Sequence, residues 1–187
     1  MGVEYSGKLL FVDDKIMKRI ANYDTSAFEE LYNNTSGAVF GLAMSILANQ
    51  SDADDVVQET YISIYNNASN YKGRGKAMAW IFTIARNHAL MKIRDRQKRS
   101  HVDLDDIYNI GSGNNVEEEY HKEQLVDVLL RILKEDERQI VVMHAMSGMK
   151  HKDIAKIMGM PLSTVLSKYK RSLEKLRKEM EVNEYER

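Results

Sequence analysis

The chain has 187 residues, 43% hydrophobic and 29% charged, with a formal net charge of −1, which is typical of a globular protein with one ordinary domain or two small ones. It contains no cysteine, which excludes disulfides and thiolate metal sites and favours a reducing compartment such as the cytoplasm. No apolar run reaches the length needed to span a bilayer, so we expect no direct membrane insertion.

The charges are segregated along the chain. Residues 72–99 carry nine Lys or Arg and one Asp, residues 102–137 carry eleven Asp or Glu and three Lys or Arg, and residues 150–178 carry nine Lys or Arg and two acids. Two basic blocks that flank an acidic one indicate two surfaces for a polyanion, separated by a segment that the polyanion repels. The alternative is that the blocks are ordinary solvated helix faces.

The chain is predicted to be all-α. Proline occurs once, at Pro161, and the few glycines are clustered, which leaves long stretches with helical periodicity. Ser26 and Glu29 have the spacing of a capping box, which predicts the start of a helix that continues through apolar positions at steps of three and four. Ser51 and Asp54 have the same spacing and predict the start of a second helix.

A third helix is predicted after the loop NNASNYKGRGK. Its apolar residues recur with a period near 3.6 through MAWIFTIARNHALMKI, and it ends in the basic run RDRQKR. We therefore expect an N-terminal segment at residues 1–23 and a small helical domain at residues 24–99. Residues 100–121 mix acids with turn formers and predict an acidic linker, after which a second small helical domain occupies residues 122–187.

The second domain contains the spacing of a helix-turn-helix motif. Ile154, Ala155 and Met158 form one face of a first helix, and Gly159 suits the left-handed position that ends it. Pro161 favours a turn, and a second helix follows in LSTVLSKYKRSLEKLR. Its residues that are spaced to face inward are Val165, Tyr169, Leu173 and Leu176.

If this second helix enters a major groove, its first residues reach base edges and its cations hold phosphates. The candidates for these contacts are Ser163, Thr164, Ser167, Lys168, Lys170 and Arg171. A helical hairpin with a basic surface is the alternative interpretation. The glycine, the proline and the basic run together favour DNA binding.

The stretch DADDVVQET places three carboxylates on one face of the second helix. Asp52, Asp55 and Glu59 lie at steps of three and four, with Gln58 beside them. Such a face can hold Mg²⁺, as in a metal-dependent phosphohydrolase, but a second acidic set is normally needed. The alternatives are stabilisation of the helix dipole and a surface for a basic partner. The five histidines are too scattered to suggest a zinc site, so we predict no metal and no cofactor.

Two parts of the chain resemble a known family. The run SDADDVVQETYISIYNNASNYKGRGKAMAWIFTIARNHALMKIRDRQKR is similar to region 2 of bacterial extracytoplasmic-function sigma factors, and DERQIVVMHAMSGMKHKDIAKIMGMPLSTVLSKYKRSLEKLR is similar to region 4. The resemblance extends from about Phe28 to Arg177, in the order of the family, with a short linker in place of region 3. It implies a subunit that directs RNA polymerase core to specific promoters and performs no covalent chemistry.

The resemblance assigns the acidic face to a protein partner. Its counterpart in the family docks on the clamp helices of RNA polymerase. The residues implied in this contact are Asp52, Asp55, Val56, Gln58 and Glu59. Many relatives are held inactive by an anti-sigma factor, so an anti-sigma factor that competes for this face is a further candidate partner.

The segment NYKGRGKAMAWIFTIARNHALMKIR resembles the part of region 2 that recognises and melts the minus-ten promoter element and holds a flipped base in a pocket. Tyr71 offers a ring for stacking on melted single-stranded DNA, and Asn87 offers an amide for a base edge. The other candidates supply cations or an aromatic wedge: Lys72, Arg74, Lys76, Trp80, Arg86, Lys92 and Arg94. For Trp80, a place in the core is the alternative to a wedge.

By the same resemblance, the second domain binds the polymerase flap and the minus-thirty-five element as duplex, and the acidic linker threads toward the polymerase active-site channel. Family members often carry a basic residue after the Thr-Val of the recognition helix, where this chain has Leu166. Leu166 either leaves fewer cations for DNA or packs against another helix. An autonomous helix-turn-helix regulator is a second interpretation, but it gives the acidic face of the first domain no role.

Overall fold

The structure, a computed structural model, describes residues 12–73, 76–100 and 128–185, with side chains described except at 99, 100 and 182–185. Every regular element in these ranges is helical, which confirms the predicted all-α fold. A 3₁₀ turn at Ala68–Asn70 follows α3, and residues 128–132 are helical ahead of α5. The predicted linker lies outside the described residues from 101 onward. The longer helices are α1 (Asp14–Ala21), α2 (Thr25–Leu47), α3 (Gln50–Asn67), α4 (Ala77–Ser100), α5 (Glu135–Ser147), α6 (His151–Met158) and α7 (Leu162–Tyr185).

Helix α1 was not predicted from the sequence. The Asp13 carboxylate accepts a hydrogen bond from the Lys15 amide (2.9 Å) and so caps the helix, and Met17 and Ile20 are buried where α1 packs on α2 and the 3₁₀ turn. The helix has only eight residues, so its apolar positions give a periodic pattern too short to identify. Part of the predicted N-terminal segment therefore belongs to the core.

Helices α2, α3 and α4 pack together and form most of the N-terminal half (α1–α4). Leu42, Ile64 and Phe82 are fully buried at their centre, and burial of an apolar side chain of this size stabilises the fold by about 1.5–3 kcal/mol. Tyr61 is also buried, with its hydroxyl 2.6 Å from the Thr35 hydroxyl. Burial raises the pKa of Tyr61, and the Thr35 hydrogen bond opposes that shift.

Both predicted capping boxes are wrong, because each helix begins earlier than expected. Asp24 caps α2 by accepting a hydrogen bond from the Ala27 amide (3.1 Å), and Asn49 caps α3 by accepting one from the Asp52 amide (2.9 Å). Asp24 and Asn49 have extended backbones, as N-caps do. Ser26 and Ser51 already lie within the helices, and the Ser26 hydroxyl donates to the Asp24 carboxylate at 2.7 Å.

The C-terminal half (α5–α7) contains the predicted helix-turn-helix in α6 and α7. Gly159 ends α6 with φ +63°, and α7 begins directly after Pro161. Val165 is fully buried, as expected, but the prediction that Leu173 faces inward is wrong. Ser172 takes that position, fully buried, and its hydroxyl donates to the Lys168 carbonyl at 2.8 Å. A small residue there allows close approach, and Leu173 is left exposed one position further along the helix.

The two halves pack against each other, chiefly through α2 with α5 and α4 with α6. Gly41 allows this contact, because a Cβ built on it would lie 2.6 Å from Sδ of Met146. The Arg138 side chain also donates to the Ser45 carbonyl at 2.9 Å across the interface. The buried residues of both halves form one continuous hydrophobic cluster. Among the described helices, none combines the length and the apolar character needed to cross a membrane.

Candidate functional site

The carboxylates of α3 lie beside the basic side of α4. Lys92 places Nζ 2.8 Å from Oδ2 of Asp55 and 3.7 Å from Oδ1 of Asp52, and Arg96 forms a second ion pair with Asp52. His88 Nδ1 lies 3.3 Å from Oε2 of the next acid along the helix, Glu59. The shared acidic face is thus confirmed, and it is partly neutralised within the chain.

The acidic face stays accessible at Asp55, Gln58 and Glu59. The side chains of Asp55 and Glu59 are 54% and 44% exposed, and Gln58 is exposed between them. Asp52 is more enclosed by its two cationic neighbours. Val56 is fully buried in the core, so it supports this surface from beneath and does not form part of it. This corrects its assignment as a contact residue.

The surroundings of the α3 carboxylates oppose a metal site. The groups that face Asp52 and Asp55 are the cations Lys92 and Arg96, which repel a divalent ion. Among the described residues, no group of three or more His, Asp or Glu side chains is arranged to hold a metal ion.

Tyr71 lies at the start of the loop between the 3₁₀ turn and α4. Its hydroxyl donates to Oδ1 of Asp14 at 2.5 Å and accepts from the Lys76 amide at 3.2 Å. Burial, followed by the hydrogen bond to Asp14, raises the pKa of Tyr71 to about 12. The hydrogen bond to Asp14 holds the Tyr71 ring in a fixed orientation against α1.

A cleft of about 540 Å³ opens beside Tyr71, between α1 and the loop that follows the 3₁₀ turn. Its polar lining includes Asp14, Ser69 and Lys72, with Met17 and Ala68 on the apolar side. Polar and charged side chains, Lys18 and Asn22 among them, thus make up more than half of the lining residues, and the Tyr71 ring offers the stacking surface that a nucleobase uses.

Trp80 lies at the edge of the core, beside Tyr71. It is half-buried and packs against the core, and its ring centre lies 5.5 Å from that of Tyr71 at a tilt of 51°. The Trp80 ring thus packs against the Tyr71 ring, and part of the Trp80 side chain remains exposed to solvent.

Two predicted minus-ten residues are bound by the C-terminal half. Lys76 Nζ lies 2.5 Å from Oδ1 of Asp153 in α6, and Arg86 Nε donates to Oε1 of Gln139 in α5 at 2.9 Å. Partial burial lowers the pKa of Arg86, and the nearby Glu135 carboxylate opposes this shift. Both cations therefore lie at the interface between the halves.

The other minus-ten candidates lie in different surroundings. Lys72, Asn87 and Arg94 are exposed, whereas Lys92 is held by the α3 carboxylates. Arg74 lies outside the described residues. The structure thus brings Tyr71 and Trp80 together, and it does not gather all the predicted cations on one open surface.

The predicted recognition helix, α7, presents an exposed polar face near its N-terminus. Ser163, Ser167, Lys170 and Arg171 are exposed, and Thr164 is half-buried.

Lys168 differs from these residues, because its Nζ lies 2.5 Å from Oδ2 of Asp136 in α5. Partial burial acts to raise the pKa of the Asp136 carboxyl, but the Lys168 ammonium outweighs it and holds that pKa below its ordinary value. Lys168 thus fixes α7 against α5.

Several partners of the candidate residues were missed by the sequence analysis: Asp14, Asp136, Gln139 and Asp153. Lys76 and Asp153 are 77 positions apart, and Arg86 and Gln139 are 53 apart. No local spacing rule relates positions so distant in sequence. Asp14 had a weak local signal, since it follows the Asp13 cap in the first turn of a short helix.

Two family models match the chain: sigma-70 region 2 at residues 31–99 and sigma-70 region 4 at residues 123–176. Together they span about two thirds of the chain and contain the acidic face, the Tyr71 loop and the helix-turn-helix. A relative from Mycobacterium tuberculosis, "ECF RNA polymerase sigma factor SigK", is 26% identical over 176 residues, which cover 91% of this chain and 94% of the relative. The chain belongs to the ECF family of RNA polymerase sigma factors.

A second relative of this sigma factor is the "ECF RNA polymerase sigma-E factor" of Haemophilus influenzae. It is 27% identical over 174 residues, covering 87% of this chain and 92% of the relative. A solved structure, the sigma factor RpoE with the anti-sigma factor NepR from Bartonella quintana, matches with a TM-score of 0.70 at 22% identity, over 83% of this chain and 97% of that one. This likeness supports the fold of the ECF sigma factor.

Proposed function

We propose that this ECF sigma factor binds promoters with two domains: region 2 at residues 24–99, extended by α1, and region 4 at residues 122–187. Region 2 contacts the polymerase clamp and opens the minus-ten element, and region 4 contacts the polymerase flap and the minus-thirty-five element. The observation that carries the proposal is the placement of an exposed acidic face on α3 and a tyrosine-lined cleft in one helical unit, followed by a helix-turn-helix.

The clamp contact is made by the accessible part of the α3 face. Asp55 and Gln58 are exposed and the Glu59 side chain is 44% exposed, and carboxylates presented on one side of a helix complement a basic coiled coil. Asp52 stays between Lys92 and Arg96 and holds α3 against α4. The affinity for core polymerase should therefore depend mainly on Asp55 and Glu59, and it should weaken at high salt.

The test is binding to bacterial core RNA polymerase by the full chain and by the variant Asp55→Lys, Glu59→Lys. The matched control is Glu29→Lys, Glu30→Lys, which reverses two exposed charges in the first turns of α2. We expect the intact chain and the control to bind, and the α3 variant to lose at least tenfold in affinity, because like charges across a protein interface cost several kcal/mol. No binding by the intact chain, combined with tight binding to duplex DNA alone, would support an autonomous regulator and refute the proposal.

The cleft beside Tyr71 is the proposed pocket for a flipped base of the minus-ten element. A base enters between α1 and the loop, stacks on the Tyr71 ring and leaves its phosphates near Lys72. Stacking and pocket contacts offset the loss of base pairing, since each stacked base contributes about 1–3 kcal/mol. Strand opening is thus driven by binding energy and needs no covalent step.

The base pocket is tested with a fluorescent adenine analogue placed along the minus-ten element of a promoter complex. We expect Tyr71→Ala to weaken open-complex formation by about tenfold, because one stacking partner is lost. Tyr71→Phe keeps the ring and removes only the hydroxyl that binds Asp14, so it should retain most of the activity. Equal defects in both variants would assign the effect to the hydroxyl that binds Asp14 and would contradict base stacking on the ring.

The two halves must separate for both promoter elements to be bound at once. The minus-ten and minus-thirty-five elements lie roughly 25 base pairs apart, which is about 85 Å along B-DNA at 3.4 Å per base pair. A compact chain of 187 residues has a radius of gyration of about 16 Å. Because that body is too small to reach both elements, the interface between the halves opens in the promoter complex.

We further propose that this sigma factor acts in the cytoplasm and that an anti-sigma factor regulates it. The related RpoE was solved with the anti-sigma factor NepR, and a partner of that class would compete with polymerase for the α3 face. Pull-down with the full chain as bait, followed by competition with core polymerase, tests this. A captured partner that leaves polymerase binding unchanged would contradict it.

A further inference from the structure

The recognition helix α7 carries two exposed leucines in its first two turns. Leu162 is 44% exposed and Leu166 is 47% exposed. The core side of the same segment is provided by Val165, which is fully buried, and by the half-buried Tyr169. Leu166 therefore does not pack against another helix, which settles one of the two alternatives left by the sequence.

Leu166 lies within the polar face of α7. It follows Ser163 by three positions and precedes Lys170 by four, so these three side chains are neighbours on the helix surface. Ser163 and Lys170 are both exposed. Leu162 lies four positions before Leu166 and extends the apolar strip toward the start of the helix. The N-terminal half of a recognition helix is the part that contacts base edges in the major groove.

We propose that Leu166 selects thymine in the minus-thirty-five element by contact with its C5-methyl group. Thymine presents the only apolar group that a base edge exposes in the major groove, and apolar side chains recognise it. The proposal rests on the proposed function of region 4 and names the base preference of that site.

Duplex DNA fits this strip better than a partner helix. The neighbours of Leu166 on the exposed side are hydroxyls and cations, among them Ser167, Lys170 and Arg171, which suit base edges and phosphates. A partner helix would use the apolar positions along the length of α7, where Leu173 and Met180 (45% and 68% exposed) follow Leu166 at steps of seven, but the exposed cations Lys170 and Arg177 interrupt that side. The Leu166 end of this side lies in the first turns of α7, the part of a recognition helix that contacts base edges. Leu173 is therefore the control position.

The experiment uses the complete holoenzyme, formed from core RNA polymerase and the full chain. Preferred minus-thirty-five sequences are selected from a randomised library, and each thymine of the best sequence is then replaced by deoxyuridine, which lacks only the C5-methyl group. We expect at least one replacement to weaken wild-type binding by about fourfold, the effect of one buried methyl group.

The variants identify which side chain senses that methyl group. In Leu166→Ala, the same thymine and deoxyuridine promoters should bind equally, whereas Leu173→Ala should keep the fourfold difference. Leu166→Lys should lose the thymine preference when the library selection is repeated. Both positions are exposed, so none of the three variants removes a core side chain, and core binding checks that each variant is folded.

Two results would overturn the inference: no thymine whose methyl group matters to the wild type, or an unchanged methyl effect in Leu166→Ala. A loss of core binding or of self-association in Leu166→Ala, without any methyl effect in the wild type, would instead assign the strip to a protein partner and refute the DNA contact. Failure of the wild-type chain to bind core polymerase would refute the proposed function itself, so the two failures are distinguishable.

Discussion

The two halves of this sigma factor hold their candidate DNA-binding side chains in different ways. In the N-terminal half, Lys76 and Arg86 are bound by residues of α6 and α5. In the C-terminal half, Lys170 and Arg171 are exposed, and neither takes part in an ion pair among the described residues. Lys168, another of the region 4 candidates, is instead paired with Asp136 of α5. In the proposed mechanism, region 4 therefore presents its candidate DNA-binding residues in the closed chain, whereas Lys76 and Arg86 of region 2 become available when the halves separate.

This difference has an energetic consequence for promoter binding. If the halves separate on promoter DNA as proposed, the contacts between them stabilise the closed form and reduce the apparent promoter affinity in proportion to the fraction of open molecules. Polymerase and promoter must supply free energy to replace these contacts. Substitutions at the interface should therefore change the affinity for the minus-ten element. Substitutions on the exposed face of α7 should leave the balance between closed and open forms unchanged.

The largest effect is expected from Gly41→Leu. The new side chain would collide with Met146 and Val142, and overpacking of this kind costs about 1–3 kcal/mol. We expect the halves to separate, the C-terminal helices to become more sensitive to protease, and holoenzyme to bind promoters more tightly by several-fold.

The control is Gly37→Leu, which makes the same change one turn earlier in α2, at an exposed position. Both variants should keep their helical content by circular dichroism. Equal protease sensitivity in the two variants would argue against a specific interface at Gly41.

A smaller effect is expected for the hydrogen bond between Arg86 and Gln139. It is partly buried and spans the two halves, so a double-mutant cycle of Arg86→Ala and Gln139→Ala should give a coupling energy of about 1 kcal/mol. Urea unfolding of the two single variants and the double variant provides the measurement. Additive effects would mean that the two side chains do not interact in solution.

The ion pair of Lys92 should matter less. Lys92→Ala is expected to change the free energy of unfolding by no more than about 1 kcal/mol, as for other surface ion pairs. Because Lys92 is held by Asp52 and Asp55, its removal should leave the salt dependence of promoter binding unchanged. Lys72→Ala, which removes an exposed cation of the minus-ten loop, should lower that salt slope by about one. A lower slope in Lys92→Ala would restore Lys92 as a DNA contact.

The smallest predicted effect is a pH dependence confined to the C-terminal half. His151 in α6 packs against the imidazole of His144 in α5 and the ring of Tyr169 in α7, and burial, then the charge of His144, lowers the pKa of His151. The unfolded chain binds this proton near the ordinary pKa of about 6.5, before the folded chain does. Stability is therefore full above that pKa and falls as the pH decreases toward the pKa of the folded state.

The measurement is the urea midpoint at pH 7.5 and 5.5 for the wild type and for His151→Phe. We expect a lower midpoint at pH 5.5 in the wild type and a smaller pH dependence in the variant, which keeps an aromatic ring against His144 and Tyr169. An identical pH dependence in both proteins would exclude His151 as the responsible group.

Local patterns predicted the elements and part of the site. The apolar period of α4, the turn at Gly159 and Pro161, and the shared face of Asp52, Asp55 and Glu59 all follow from spacing along one segment. The errors also have local causes. Asp24 and Asn49 are the N-caps because the backbone is extended at these two residues. The spacing of Ser26 with Glu29, or of Ser51 with Asp54, carries no information about where the backbone is extended.

The contacts between the halves could not be predicted in this way. Arg86 with Gln139, and Lys76 with Asp153, depend on how α4 meets α5 and α6 in space. Their side chains look like any other solvated polar groups in the sequence. Leu173 and Ser172 illustrate the same limit, because which of two adjacent residues faces the core depends on the angle at which α7 crosses α5.

The most direct test of the account is the distance between the two halves before and after the promoter complex forms. The chain has no cysteine, so Asn66→Cys in α3 and Glu174→Cys in α7, both at exposed positions, can be labelled with a dye pair for energy transfer. The account predicts higher transfer in the free chain and a clear fall when core polymerase and promoter DNA are added. Unchanged transfer in a complex that is active in transcription would contradict it.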